Sequence, residues 1–211
     1  MLLEFMLLPK NKMVIKDNIV ISNIIFPNSI LRERVKKGTK ILDVGCATGK
    51  FLRLCDKYGL KTYGIDYSKK LLKKAKFATK AKLVCGSAEN LSIYKKNSFS
   101  TITGFDVIEH LSSPYMFAQQ AYEVLKPGGK LILTTPNLNS LGRLVMGKSW
   151  HGYSDKTHRY LFTPESLAYT LESVGFKISK LESPFHPLPK IIQTFVNKMG
   201  LGGQIWLVAK K

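Results

Sequence analysis

The stretch ILDVGCATGKFL, residues 41–52, constrains the fold more than any other part of the chain. It joins an apolar strand-like run, a carboxylate at Asp43, glycines at positions 45 and 49, and the first turn of a helical pattern. Glycine lets a backbone turn sharply and approach a ligand closely. A helix that follows such a turn offers unpaired N–H groups at its start. The segment therefore predicts a strand, a ligand-facing turn and a helix.

The same alternation runs through the chain. Strand-like runs occur at 39–44, 61–66, 82–85, 100–105, 129–135, 176–182 and 203–209. Helical patterns separate most of them. Phe51, Leu54, Cys55 and Tyr58 recur at helical spacing before a stop at Gly59, and Phe117, Ala121, Val124 and Leu125 do so before the turn KPGG at 126–129. TPESLAYTLESVG carries Thr163 as N-cap, Pro164 at the first helical position and Gly175 as the stop. Strands alternating with helices predict an α/β fold with a doubly wound, Rossmann-like, seven-stranded sheet. It is mostly parallel with the last strand antiparallel, and helices cover both faces. Ligands of such sheets sit beyond the carboxyl ends of the strands, where the opening stretch turns.

The order Gly45, Cys46, Ala47, Thr48, Gly49 lacks the G-x-G-x-x-G spacing of a dinucleotide site. Asp43 would repel a pyrophosphate in that turn and would tolerate a ligand carrying an ammonium and a sulfonium, which points to S-adenosylmethionine. Asp66 follows Gly45 by 21 positions and ends the second strand, where a carboxylate accepts hydrogen bonds from ribose hydroxyls.

With these residues in order, the chain resembles the class I S-adenosylmethionine-dependent methyltransferases over about residues 38–183. ILDVGCATG is similar to the glycine-rich first motif of that family, GIDYS to the acidic second, and VCGSAENL to the third. FDVIEHL resembles the close of its fourth strand and LKPGGKLILTTPN its entry into the fifth. The resemblance implies that Asp43, Gly45, Ala47 and Gly49 line the methionine side of the cofactor and that Asp66 holds the ribose. It puts Ser87 and Ala88 near adenine and Phe105 at the cofactor's border. Ala47 replaces the middle glycine usual in the family, and Ser87 stands where many members have an aspartate.

Methyl transfer from a sulfonium is an in-line displacement, so the protein positions the reactants and a base helps where the acceptor is a hydroxyl. His110, in DVIEHL at the rim of the site, titrates in the useful range and is the candidate base, with Glu109 beside it. Asp106, Glu109 and His110 have i, i+3, i+4 spacing, which would gather them on one helical face. The resemblance to quinone-biosynthetic O-methyltransferases implies that such a set can hold a divalent cation. The E-H dipeptide is also widespread in relatives without metal, and the reading adopted is metal-free.

Residues 138–162 are longer than a simple connection and lie on the ligand side, where long connections usually carry function. Trp150, His151, Tyr153 and His158 suit them to gripping a ring, sugar or isoprenoid. The run W-H…H-R-Y-L-F-T-P-E-S-L resembles methyltransferases of sugars, quinones and similar metabolites and favours an oxygen acceptor. The N/D-P-P-aromatic motif of amino-group nucleic-acid methyltransferases is replaced by FDVIEH.

Charge sets the competing reading. A formal net charge of +19 attracts polyanions and raises RNA as the acceptor. Only five of the 33 basic residues are arginine, however, and bidentate phosphate and base recognition is mostly arginine work. The densest run, SKKLLKKAKFATKAK at 68–82, sets its lysines opposite an apolar helix face and reads as solvated. A catalytically silent S-adenosylmethionine-binding module is the third reading, because a fold alone does not establish activity.

Residues 1–37 read as a leader with a lid helix over about 14–35, ahead of a methyltransferase domain at 38–211. Neither a signal peptide nor a transmembrane segment is expected from MLLEFMLLP, which carries Glu4 and is far shorter than the roughly 20 residues of a span. The lid and residues 185–200 are apolar enough for weak peripheral membrane contact. Three cysteines, Cys46, Cys55 and Cys85, without paired spacing fit a reducing cytoplasm. The sequence carries no signature of an oligomeric state.

Overall fold

The structure is a computed structural model that describes residues 18–20, 34–184 and 199–211. Strands β1 (Asn18–Val20) and β2 (Arg34–Lys36) pair antiparallel as a separate two-stranded ribbon. The helical lid expected over 14–35 is therefore replaced by extended backbone at both of these segments. The rest of that expectation, and most of the 185–200 segment, lie outside the described residues.

The central sheet contains β3 (Lys40–Val44), β4 (Lys61–Asp66), β5 (Lys82–Cys85), β6 (Phe99–Phe105), β7 (Leu125–Pro136), β8 (Lys177–Glu182) and β9 (Gln204–Lys210). Their order is β5-β4-β3-β6-β7-β9-β8. Pairs among β3 to β7 are parallel, and β9 runs antiparallel to both β7 and β8. This is the expected topology, with each strand within a few residues of its sequence-based bounds. The KPGG turn is absorbed into β7 as a bulge: Leu125 faces Phe99 and Lys130 faces Thr101, with the intervening residues looped out.

Strand order reverses between β3 and β6, so a crevice opens at their carboxyl ends. Both faces of the sheet are covered, which is why β3 reads as a continuous buried run after Lys40. Leu42 and Val44 face one core with Ile102, Phe117, Leu133 and Leu167, and Ile41 faces another with Cys55, Ile132 and Val208. Each fully buried aliphatic side chain of this kind contributes about 1.5–3 kcal/mol.

Helix α1 (Lys50–Lys57) buries Leu52 and Cys55, and α2 (Lys69–Ala78) starts at the Ser68 N-cap and buries Leu72 and Ala75. The lysines of α2 are exposed, as its periodicity requires. Helix α3 (Pro114–Val124) follows the Ser113 cap. The insertion folds into α4 (Leu141–Met146), a 3-10 turn at Gly147–Ser149 and α5 (His151–Ser154). Helix α6 (Pro164–Glu172) has the expected Thr163 cap, completed by Ser166 into a capping box. No helix among the described residues is long and apolar enough to cross a membrane.

Candidate active site

The turn after β3 sits on the end of β4 through hydrogen bonds from Gly45 N (2.8 Å) and Cys46 N (3.1 Å) to the Ile65 carbonyl. Gly45, Ala47 and Gly49 all have positive φ, at 69°, 46° and 72°. A Cβ on Gly45 would lie 2.4 Å from Val107 Cγ2, so glycine is required there by space as well as by conformation. Ala47 occupies the left-handed region with a side chain, at a cost of about 1–2 kcal/mol.

Asp66 balances that cost. Its Oδ2 accepts from Ala47 N and its Oδ1 from Ser68 N, both at 2.8 Å. A carboxylate offers about four lone-pair positions, so Asp66 ties down two loops and keeps acceptor capacity for ligand hydroxyls. Asp43, 3% exposed, accepts from Thr103 Oγ1 at 2.7 Å. Burial pushes its carboxyl up to about 7; the Thr103 bond opposes the shift and the nearby Asp66 adds to it. Such a group gains from a cationic ligand. Gly49 supplies no side-chain cap to α1, and the first turn of that helix carries no acid, so its N-terminus favours a ligand carboxylate. These features fit an amino acid carrying a ribose, as S-adenosylmethionine does.

The remaining cofactor candidates follow β5 and end β6. Ser87 is exposed, with Oγ accepting from Glu89 N, and Ala88 packs against the main core. Phe105 ends β6 and meets Phe51 edge to face at 5.1 Å.

Beyond β6 the chain enters a second cluster. Val107, which abuts Gly45, leads into a 3-10 turn at Ile108–His110. Asp106 does not share a helical face with Glu109 and His110. It stands before the turn at φ 52°, and its Oδ1 accepts from Thr134 Oγ1 (3.0 Å) and Gln204 Nε2 (2.7 Å). This corrects the one-face arrangement expected from the spacing.

The insertion returns to this turn. The Glu109 carbonyl accepts from Arg159 N (2.8 Å) and Tyr160 N (3.1 Å). Arg159 Nη1 donates to Ser112 Oγ at 2.9 Å, and Tyr160 Oη donates to the Ser112 carbonyl at 3.1 Å. These contacts bring His158 against His110, with ring centroids 4.7 Å apart.

Both imidazoles are oriented through Nδ1. That of His110 lies 3.2 Å from the Thr157 carbonyl and 2.9 Å from Thr157 Oγ1, and that of His158 lies 2.9 Å from the Gly152 carbonyl. A carbonyl only accepts, so Nδ1 carries the proton in each neutral ring and Nε2 keeps its lone pair. Glu109 is 1% exposed, and among the described residues neither of its carboxylate oxygens has a hydrogen-bond partner. Burial, and then the charge of Asp106, raise its carboxyl to about 8, against the opposing influence of its own backbone N–H and the nearby Thr135 hydroxyl.

His151 is exposed at the same end, its pKa lowered by partial burial and by His158. Trp150 departs from its expected place: at 1% exposure it faces the interior, meeting Tyr153 edge to face at 5.1 Å and leaving Gly152 no room for a side chain. It is a platform for α5 and not a surface for ligand. Tyr153 itself is exposed.

Four residues of the site escaped the sequence reading. Thr103 was accessible from register, since it pairs with Asp43 across β3 and β6. Ser112, Thr157 and Gln204 act through contacts between distant segments and carry no local signal.

A model of a methyltransferase domain matches residues 25–181. The chain is 29% identical over 168 residues to a ubiquinone biosynthesis O-methyltransferase of Coxiella burnetii, covering 72% of this chain and 70% of that protein. It is 31% identical over 156 residues to the mitochondrial ubiquinone biosynthesis O-methyltransferase of Rattus norvegicus, covering 67% of this chain and 45% of that protein. Among solved structures, an S-adenosylmethionine-dependent methyltransferase from Archaeoglobus fulgidus superposes with a TM-score of 0.66 at 23% identity. That match covers 82% of this chain and 86% of the other.

Proposed function

We propose a reaction from the premise that this chain belongs to the S-adenosylmethionine-dependent methyltransferases, whose domain its residues 25–181 match: transfer of the cofactor's methyl group to an oxygen of a small, quinone-type metabolite. The observation that carries this reading is the contact between Val107 and Gly45. It sets the Glu109–His110 turn directly against the cofactor loop, where an acceptor hydroxyl must lie for in-line attack on the methyl carbon. Asp43, Gly45, Ala47, Gly49 and Asp66 hold the cofactor, with Ser87 and Ala88 near its adenine and Phe105 at its border.

The His110 Nε2 lone pair, set by the Nδ1 contacts to Thr157, takes the acceptor proton in the metal-free chain. His151, Tyr153 and His158 border the acceptor. The exposed apolar side chains of α4, Leu144, Val145 and Met146, support an acceptor with greasy substituents. The ubiquinone-type relatives support the oxygen acceptor.

RNA is the weaker reading. Lys40, Lys61 and Lys82 are the first residues of β3, β4 and β5, and with Lys80 they line a cavity of about 560 Å³. That cavity lies at the amino ends of the strands, a full strand length of roughly 16 Å from the candidate site. A polyanion held there would not present its methylated atom to the cofactor.

Methyl-labelled cofactor incubated with a cell extract, then fractionated, tests the assignment. Label in a lipid-extractable or small-molecule fraction is expected. Ribonuclease-sensitive label would replace the small acceptor with RNA, and cofactor binding without label in any fraction would leave a silent binding module.

A further inference from the structure

Asp155 is the only acidic residue of 138–162. It follows α5, is exposed, and makes contacts that lead to the candidate base. Its Oδ1 accepts from Thr157 N at 2.8 Å and from Thr157 Oγ1 at 2.6 Å. The same Thr157 oxygen lies 2.9 Å from His110 Nδ1, and the Thr157 carbonyl lies 3.2 Å from that nitrogen. We propose that Asp155 is a positioning residue for His110: through the Thr157 hydroxyl it fixes which ring nitrogen carries the proton, and so keeps Nε2 free as the base. This role rests on the oxygen-acceptor reading above, in which His110 takes the acceptor proton.

The argument is a count of protons. A hydroxyl has one to give and an ionised carboxylate has none. The contact to Asp155 therefore takes the Thr157 proton and leaves Oγ1 only lone pairs to offer His110. Both groups that face Nδ1 are then acceptors, and Nδ1 is the protonated nitrogen. Without Asp155 the hydroxyl is free to turn its proton toward Nδ1, which would move the ring proton to Nε2 and remove the base. The Thr157 carbonyl favours the productive form, but at 3.2 Å it would compete with a hydroxyl proton delivered from 2.9 Å.

Charge acts in the same direction. The Thr157 hydroxyl, and then the Thr157 N–H, hold the Asp155 carboxyl below the usual carboxylate range; slight desolvation opposes them, and His158 and His110 add to the lowering. Its Oδ2 lies 3.8 Å from His158 Nε2. When Nε2 of His110 takes the acceptor proton, the resulting cation faces a negative charge through one hydroxyl. A carboxylate that orients a catalytic imidazole stabilises its charged form in this way.

A local turn explains only part of these contacts. An Asx turn accounts for the bond from Thr157 N, because a side-chain acceptor two residues earlier suffices for it. It does not account for the second bond, from the hydroxyl, or for the placement of that hydroxyl on His110. Asp155 and Thr157 are both exposed, so water competes for each bond, and the expected effect is one order of magnitude and not several.

The test reads the ring proton directly. The full chain, labelled with nitrogen-15 at histidine, is examined by two-bond nitrogen–proton NMR at about pH 8, above the usual imidazole range. S-adenosylmethionine is present without acceptor, and His110→Gln assigns the signals. The Nδ1-protonated form is expected in wild type, in Thr157→Ser and in Asp155→Asn, which retain the hydroxyl and the accepting oxygen. Asp155→Ala should raise the Nε2-protonated share about threefold or more. Adding Thr157→Val to Asp155→Ala should reverse that rise, since the misdirected donor is gone, whereas a merely structural role for Asp155 gives no reversal. Label transfer to the small-molecule fraction should be about tenfold slower in Asp155→Ala, with cofactor affinity within about twofold of wild type, and should recover in part in the double variant.

An Nε2-protonated ring in wild type would overturn the proposal, as would an unchanged ring in Asp155→Ala or a double variant no better than Asp155→Ala alone. Circular dichroism checks folding. If Asp155→Ala does not fold, Asp155→Ser takes its place with the same outcomes, because it keeps a turn acceptor for Thr157 N without a carboxylate. The expected ring response with no label in any small-molecule fraction would leave the hydrogen-bond chain standing and remove the acceptor reading instead.

Discussion

Asp43, Gly45, Ala47, Gly49 and Asp66 come from two adjacent parallel strands and the turn between β3 and α1, whereas His110 and His158 meet only because residues 138–162 fold back onto the end of β6. The first group is held by backbone geometry: a left-handed turn, strand register and two N–H bonds to one carboxylate. The second is held by contacts between segments almost 50 residues apart, through Glu109, Ser112 and Thr157. A cofactor common to a large family calls for a fixed cradle, and acceptors that differ among its members call for a variable one. Building the variable half on an insertion lets it change without disturbing the fixed half.

The sharpest break of the fixed half is Gly45→Ala. The added Cβ would meet Val107 Cγ2 at 2.4 Å at a residue with φ 69°. Overpacking and the left-handed penalty together predict a loss of about 3 kcal/mol in denaturant unfolding. Because Val107 leads into the Glu109–His110 turn, this is also the substitution that carries damage from one half to the other. A stability loss below about 1 kcal/mol would mean that the two halves are less tightly joined than their contact indicates.

The next effect is a pH slope. Asp43 titrates near 3.8 in an unfolded chain and at about 7 in the folded one. Between those values the folded chain keeps a proton that the unfolded chain has released, so the stability contributed by Asp43 falls as pH rises from about 4 to about 7. Three pKa units correspond to at most about 4 kcal/mol, and local relaxation brings the expected fall to about 2 kcal/mol. Asp43→Asn, which keeps an acceptor for Thr103, should reduce that slope, leaving the part that Glu109, raised to about 8, contributes between about pH 4.5 and 8. Urea midpoints at pH 5 and pH 8 read the difference, and an unchanged slope in the variant would place the titrating group elsewhere.

A crossed pair then separates the halves functionally. Asp66→Ala should weaken cofactor affinity at least tenfold by calorimetry, since it removes the ribose acceptor and the anchor of Ala47 N. His110→Ala should slow turnover by about 10²-fold and leave cofactor affinity within twofold. Equal loss of cofactor affinity in both variants would show that the two clusters act as one unit.

Legibility from sequence divides along the same line. The strands, the cap of α6 and the whole cofactor turn follow from residues near one another in the chain, and spacing sufficed to find them. Thr103 needed one further step, the register of β3 against β6. Trp150 was misjudged because an aromatic residue in a polar insertion looks like a ligand surface, and only tertiary packing decides that Tyr153 and Gly152 stack on it. Asp106 was misjudged because i, i+3, i+4 spacing implies a helical turn that its φ of 52° prevents. The link from His158 to His110 depends on backbone hydrogen bonds, which any residue type can make and no side-chain pattern announces.

The smallest expected effect probes strain shared by the two halves. Ala47 and Asp106 both stand at positive φ, 46° and 52°, one in each half. Each is restrained by its surroundings: Ala47 by the carboxylate of Asp66, Asp106 by Thr134 and Gln204. Ala47→Gly removes a left-handed penalty of about 1–2 kcal/mol and adds about 0.5–1 kcal/mol of unfolded-chain entropy. The net expectation is a gain of about 0.5 kcal/mol in denaturant unfolding, with the bond to Asp66 retained. A gain of that size would show that the cofactor turn holds its left-handed form before ligand arrives, so that binding need not create it. A loss would instead mean that ligand, and not Asp66, imposes the turn, and the fixed half would then be nearer in character to the variable one.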